Sequence, residues 1–222
     1  MNQAQRDLML WTGLVGFFYA VGLVAHAIDL LRPWMLLLTP GFLLVAGGVI
    51  VFRHLQTADV WPFWFWFVPV SILTFGMEVL GVATGLVFGP YHYTNALGPS
   101  LAGVPLLIGL NWVLVVVGSL VGVRALAPTW PPVATALISG LACIAFDLLL
   151  EPVAVHLGYW VWDVPEIPLQ NYLAWGGIGA LAAYWGARVL PRRGSAILAW
   201  YTIIQTAFFA GIDVWILIGW IP

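Results

Sequence analysis

Glu78, Asp147, Glu151 and Asp213 each stand inside a run of apolar residues long enough to cross a bilayer. An ionisable side chain at the centre of a membrane helix costs about 3 kcal/mol or more, so acids in such places call for a functional explanation. Asp147 and Glu151 are four residues apart, which puts both carboxyls on one face of a helix. Two carboxyls that close in a low-dielectric site do not readily ionise together, and the one that keeps its proton is a general acid. Glu78, in an apolar wall of Phe75, Met77, Val79 and Leu80, is a candidate for the same role. The competing use for such acids is to hydrogen-bond helices to one another.

The aromatic residues divide into two groups. Trp61, Trp64, Trp66, Trp200 and Trp220 lie near the ends of apolar runs, where tryptophan forms the interfacial belt of membrane proteins. Tyr91, Tyr93, Trp112, Trp160, Trp162 and Trp175 instead gather around the expected level of the acids. Aromatic faces stabilise cations. Beside a protonated carboxyl they suit a reaction that protonates an alkene and passes through a carbocation.

The elements that must hold these residues follow from composition. The chain has 222 residues, 63% hydrophobic and 7% charged. A soluble domain carries about 25% charged residues, so the chain reads as an integral membrane protein with a single multi-pass domain over 1–222. Apolar runs fall at 8–30, 33–52, 61–88, 104–124, 133–153, 171–190 and 195–219, giving an all-α bundle of about seven transmembrane helices. The third run contains Pro69 and exceeds the needed length, which predicts a tilt or kink. The polar start, Met1–Asp7, followed by a long apolar run and no small-residue cleavage site, reads as a first membrane helix rather than a signal peptide.

Seven spans place Arg6, Arg53, Arg124, Arg188, Arg192 and Arg193 on one side and only Arg32 on the other. The positive-inside rule then predicts a cytoplasmic N-terminus and an outside C-terminus. With a rise of about 1.5 Å per residue, all four acids fall in the outer half, roughly 20–27 Å along their helices. Asn111 enters about 10 Å from the outer face on the fourth helix by the same rise. His26 and Asp29 close the outer end of the first. Polar groups from five helices are therefore expected at one level.

An internal repeat points the same way. One half reads Glu78, then Tyr91 and Tyr93, then Val104-Pro105-Leu106, with Trp112 seven residues after the proline. The other reads Glu151, then Trp160 and Trp162, then Ile167-Pro168-Leu169, with Trp175 seven residues after the proline. Asn111 and Asn171 follow their prolines at different offsets. Such a pair of hairpins is related by an axis along the membrane normal.

Several chemistries are set aside. The chain has no lysine, so a retinal Schiff base is excluded. His26, His54, His92 and His156 are far apart, which does not suit a multi-histidine metal site, and no metal is expected. No phosphate-binding loop or dinucleotide fingerprint occurs, and no basic run is long enough to track nucleic acid. Ser71, Ser100, Ser119, Ser139 and Ser195 stand in no recognisable nucleophile setting. Cys143 is the single cysteine and reads as a small buried hydrophobe.

Two segments resemble a known family. Glu78-Val-Leu-Gly-Val-Ala-Thr-Gly-Leu-Val-Phe-Gly-Pro-Tyr-His-Tyr, continued by Leu97-Gly and Gly103-Val-Pro-Leu, is similar to the first signature of the CruF-type carotenoid hydratases. Phe146-Asp-Leu-Leu-Leu-Glu-Pro-Val-Ala-Val, then Gly158-Tyr-Trp-Val-Trp and Ile167-Pro-Leu-Gln-Asn-Tyr-Leu-Ala-Trp, resembles the second. Together they cover about 75–175, and the flanking helices match only in hydropathy. The chain departs from the pattern at Glu151, where some members carry aspartate, and at Glu166-Ile-Pro, where many have Gly-Val-Pro.

The resemblance implies a membrane enzyme of carotenoid biosynthesis. It would add water across the terminal C1–C2 double bond of an acyclic end group, in γ-carotene, lycopene-type carotenes or the haloarchaeal precursors of bacterioruberin. Its partners would be the lipophilic carotenoid and membrane lipid, and its chemistry calls for no cofactor. Glu78 and Asp147 are the expected acid/base pair, with Glu151 third. Asn111 and Asn171 would position water, and Tyr91, Tyr93, Trp112, Trp160, Trp162 and Trp175 would line the pocket. His26, Asp29 and Asp213 would support the carboxyls from behind. A cyclase using the same protonation is the near alternative. A proton-coupled transporter or lipid-binding membrane protein is the non-enzymatic one.

Overall fold

The computed structural model describes residues 2–192 and 195–221; Arg193, counted above among the arginines of one side, lies outside them. Among the described residues, seven helices make up the bundle. They are α1 (Gln3–His26), α2 (Arg32–Leu55), α3 (Val60–Thr84), α4 (Leu107–Leu126), α5 (Pro132–His156), α6 (Leu169–Val189) and α7 (Ala196–Leu217). Six of them are long and apolar enough to cross a membrane. The seventh, α6, is 21 residues long but carries Gln170, Asn171 and four glycines, which lowers its apolar content. The expected membrane-protein bundle is therefore what this chain forms.

Local sequence explains where the helices start and stop. Asn2 and Gln5 cap α1 reciprocally, each side chain accepting from the other's backbone N–H at 2.9 and 3.0 Å. Prolines open α2 and α5, where their missing N–H costs nothing. The third helix ends four residues earlier than its apolar run suggests. Gly85 adopts φ 68° and closes α3 with the left-handed turn that glycine tolerates. The freed segment carries Phe88 back into the core, where it is buried.

The fourth helix is the centre of the bundle and is buried along most of its length. Its run of Val, Leu, Gly and Ser from Val113 to Val121 is apolar on every side, as a fully enclosed helix must be. The pair α5 and α6 packs most intimately, through small residues. A side chain added at Gly140 would stand 2.6 Å from the Gly176 carbonyl. Only bare glycine lets two membrane helices approach so closely.

Among the described residues, the strands that depart from an all-helical reading lie in the loops at the arginine-poor end. Short strands occur at β1 (Tyr91–Tyr93), β2 (Ser100–Leu101), β3 (Val104–Pro105) and β4 (Trp160–Trp162). The first and last pair antiparallel, with Tyr91 opposite Trp162, His92 opposite Val161 and Tyr93 opposite Trp160. Thr94 ties the two loops further, its hydroxyl donating to the Gly158 carbonyl at 2.6 Å and its N–H to that of Tyr159 at 3.0 Å. At the opposite end, Arg124 donates to the carbonyls of Ala187 (2.8 Å) and Pro191 (3.1 Å), and Arg192 to that of Pro128 (3.0 Å).

Candidate active site

Three of the four acids are buried: Glu78 at 4% exposure, Asp147 at 0% and Glu151 at 3%. None of them enters an ion pair among the described residues. They are satisfied instead by neutral donors, in two matching sets. Glu78 Oε2 accepts from the hydroxyls of Tyr91 and of Tyr93, the latter at 2.8 Å, while its Oε1 accepts from Trp112 Nε1 at 2.7 Å. Glu151 Oε2 accepts from Trp160 Nε1 at 3.0 Å and Trp162 Nε1 at 2.9 Å, while its Oε1 accepts from Asn171 Nδ2 at 3.1 Å.

The pairing of β1 with β4 explains why the two sets resemble each other. In a strand, residues two apart face the same side, so Tyr91 and Tyr93 both reach one carboxyl and Trp160 and Trp162 the other. The antiparallel register has His92 and Val161 at its centre, which relates the halves by a local two-fold. Trp112 and Trp175, which hold equivalent places in the repeat, stack on one another with ring centroids 3.6 Å apart. Tyr91 also lies against Trp162, at 5.1 Å between centroids, so the two carboxyl sets share one aromatic wall.

Asp147 belongs to the Glu151 set. Asn171 Nδ2 donates to Asp147 Oδ2 at 2.6 Å and so bridges the two acids of α5. Asp147 Oδ1 is buried without a hydrogen-bond partner among the described residues. Pro152 follows Glu151 inside the helix and removes the N–H that would bond the carbonyl one turn back.

The other expected residues lie elsewhere. Asn111 is half-buried, makes no hydrogen bond to the carboxyls, and leaves its Oδ1 unpartnered. One residue from Trp112, it points about 100° away around the helix. His26 Nδ1 lies 2.7 Å from the Gly22 carbonyl of its own helix, and its ring meets the edge of Phe208. Asp29 pairs with Arg32 at 2.6 Å and is exposed. Asp213 is only partly buried. None of these three bonds to the carboxyl cluster, because the donors around Glu78 and Glu151 come from the strands and from α4 and α6. Two wall residues were absent from the expectation. Phe88 lies 6.3 Å from Trp112 and 6.2 Å from Tyr91 between centroids, and Phe146 lies 6.3 Å from Trp175. Both belong to the two family-like segments, Phe88 just before Gly89 and Phe146 just before Asp147, which is the signal for them.

Comparison with known proteins gives this geometry a context. A family model described as carotenoid biosynthesis protein matches residues 38–221, most of the chain. The chain belongs to the carotenoid biosynthesis protein family. Every carboxyl, strand and aromatic residue of the site lies inside that match. The chain is also 33% identical over 179 residues to a bisanhydrobacterioruberin hydratase of Haloarcula japonica. That alignment covers 73% of this chain and 58% of the relative, so this family member spans little more than half the length of the curated protein it matches. No solved structure matches this member of the family.

Proposed function

We propose that this protein is a carotenoid hydratase of the cytoplasmic membrane, adding water across the terminal C1–C2 double bond of an acyclic carotene end group. The observation that carries the reading is the Asn171-bridged pair of Asp147 and Glu151, buried beside the Glu78 set and walled by aromatic rings. Alkene hydration asks for a proton donor, a surface that tolerates a tertiary cation, and a base for the attacking water. The cluster supplies carboxyls for the first and last. Its tyrosine and tryptophan faces supply the second. The resemblance to a hydratase of carotenoid substrates supports the same choice.

In this reading the end group enters between the helices, and water comes from the arginine-poor side, which is the outer one. The experiment is expression in a bacterium that accumulates lycopene or γ-carotene, followed by mass spectrometry of the pigments. A product heavier by one water is expected. A cyclised product of unchanged mass would replace hydration with ring closure of the same cation. Unaltered carotene together with proton-coupled uptake of a solute would support a transporter instead.

A further inference from the structure

The hydrogen-bond donors around the cluster carry an assignment of roles. Indole and amide N–H groups can donate but never accept. Glu151 faces only such donors: Trp160, Trp162 and the Asn171 amide. Both of its oxygens are therefore acceptors, as an ionised carboxylate presents them. Glu78 is different, because the hydroxyls of Tyr91 and Tyr93 can turn and accept, so its donors fix nothing. Asp147 accepts at Oδ2 alone, and its Oδ1 is buried with no partner. A bare anionic oxygen there would forfeit its solvation. A hydroxyl at Oδ1 carries no charge to solvate and leaves one free donor.

The two-fold repeat supplies a control within the molecule. The residue four before Glu78 is Thr74, whose hydroxyl is spent on the Val70 carbonyl at 2.9 Å. The residue three after Pro105, matching Asn171, is Ile108. One half of the repeat thus has a carboxyl, a second acid and an amide bridge; the other has the carboxyl alone.

We propose that Asp147 is the proton donor of the reaction and Glu151 its ionised partner and base, so that proton transfer is confined to the Asp147 half of the repeat. This rests on the hydratase reading above for the identity of the alkene. The Asp147 O–H bond breaks as the alkene π pair forms a C–H bond at C2, leaving the cation at C1. A lone pair of water forms the C–O bond, and the water's proton passes to Glu151. The proton then returns from Glu151 to Asp147, one helical turn away, and the site resets with the net addition of one water. Asn171 is the positioning residue that holds the two carboxyls at the spacing this return requires.

Infrared spectroscopy of the purified protein tests the assignment without turnover. The Asp213→Asn variant serves as background, since Asp213 is the other membrane-level aspartate. Carbon-13 in aspartate carboxyls should shift a protonated-carboxyl band, and Asp147→Asn should abolish that shifting component. Glu151→Gln should leave it in place, and no protonated band should be lost with Glu151. Isotope labelling needs no change at Asp147, so the result stands even if Asp147→Asn fails to fold. A protonated band that shifts only with labelled glutamate and disappears in Glu151→Gln would overturn the proposal. So would the absence of any aspartate component. If the aspartate band is present but wild-type protein forms no hydrated carotene, the hydratase reading fails while the protonation assignment stands.

Discussion

Trp112 and Trp175 lie face to face, their ring centroids 3.6 Å apart and their planes 16° from parallel. Each stands seven residues after the proline that precedes its helix, so the stack marks where the two halves of the repeat meet. Only one ring has a polar duty, the Trp112 N–H donating to Glu78 at 2.7 Å.

Replacing Trp112 by Phe keeps an aromatic face but removes a donor from a buried carboxyl, a loss of about 1–3 kcal/mol. Trp175→Phe removes no hydrogen bond found in the structure and should cost less. Thermal unfolding of the two variants in detergent should rank them in that order. Equal shifts would mean that the stack, not the bond to Glu78, is what matters at Trp112.

The two carboxyl sets should differ in their response to neutralisation. Asp147→Asn and Glu151→Gln are expected to abolish the hydrated pigment. Glu78→Gln, in the half without a second acid, should reduce it to a smaller degree. Pigment yield normalised to membrane-inserted protein makes the comparison.

The contact between α5 and α6 has no room for a side chain at Gly140. Gly140→Val would drive a branched side chain against the Gly176 carbonyl, at 2.6 Å from the first added carbon. Overpacking of this kind costs typically 1–3 kcal/mol, and backbone on the far side gives little relief. The variant should lose its monodisperse elution from a sizing column, whereas Gly177→Ala, with open space around it, should not.

Orientation can be read with a chemical label. The His92 side chain is 57% exposed on β1, and Cys143 is fully buried. In intact cells His92→Cys should react with a membrane-impermeant maleimide, and a cysteine at Arg53 should not. The reverse pattern would invert the topology inferred from the arginines.

Much of this arrangement is legible in the sequence because it rests on spacing. Asp147 and Glu151 share a helix face by being four apart, and apolar length alone places the helices. The Tyr-x-Tyr and Trp-x-Trp pairs carried a strand's period of two, but three residues among loop segments gave too short a run to read as β1 and β4. Pairing of these strands is what gives each glutamate its own pair of aromatic donors. Depth along a helix put Asn111 and Asp213 near the acids, yet depth does not fix direction around the axis. Asn111 turns aside from Trp112, and Asp213 stands partly exposed on α7. The end of α3 depended on a single backbone angle at Gly85, which hydropathy does not register.

Addition of water to a carotene leaves a product of known mass and an oxygen of known origin. The direct measurement is the mass of the pigment made by cells expressing the protein on a lycopene or γ-carotene background, grown in oxygen-18 water and, separately, under oxygen-18 gas. A pigment heavier by one water, its new oxygen drawn from the labelled water, is expected. A hydroxyl carrying oxygen from the gas, or a carotene of unchanged mass, would rule hydration out.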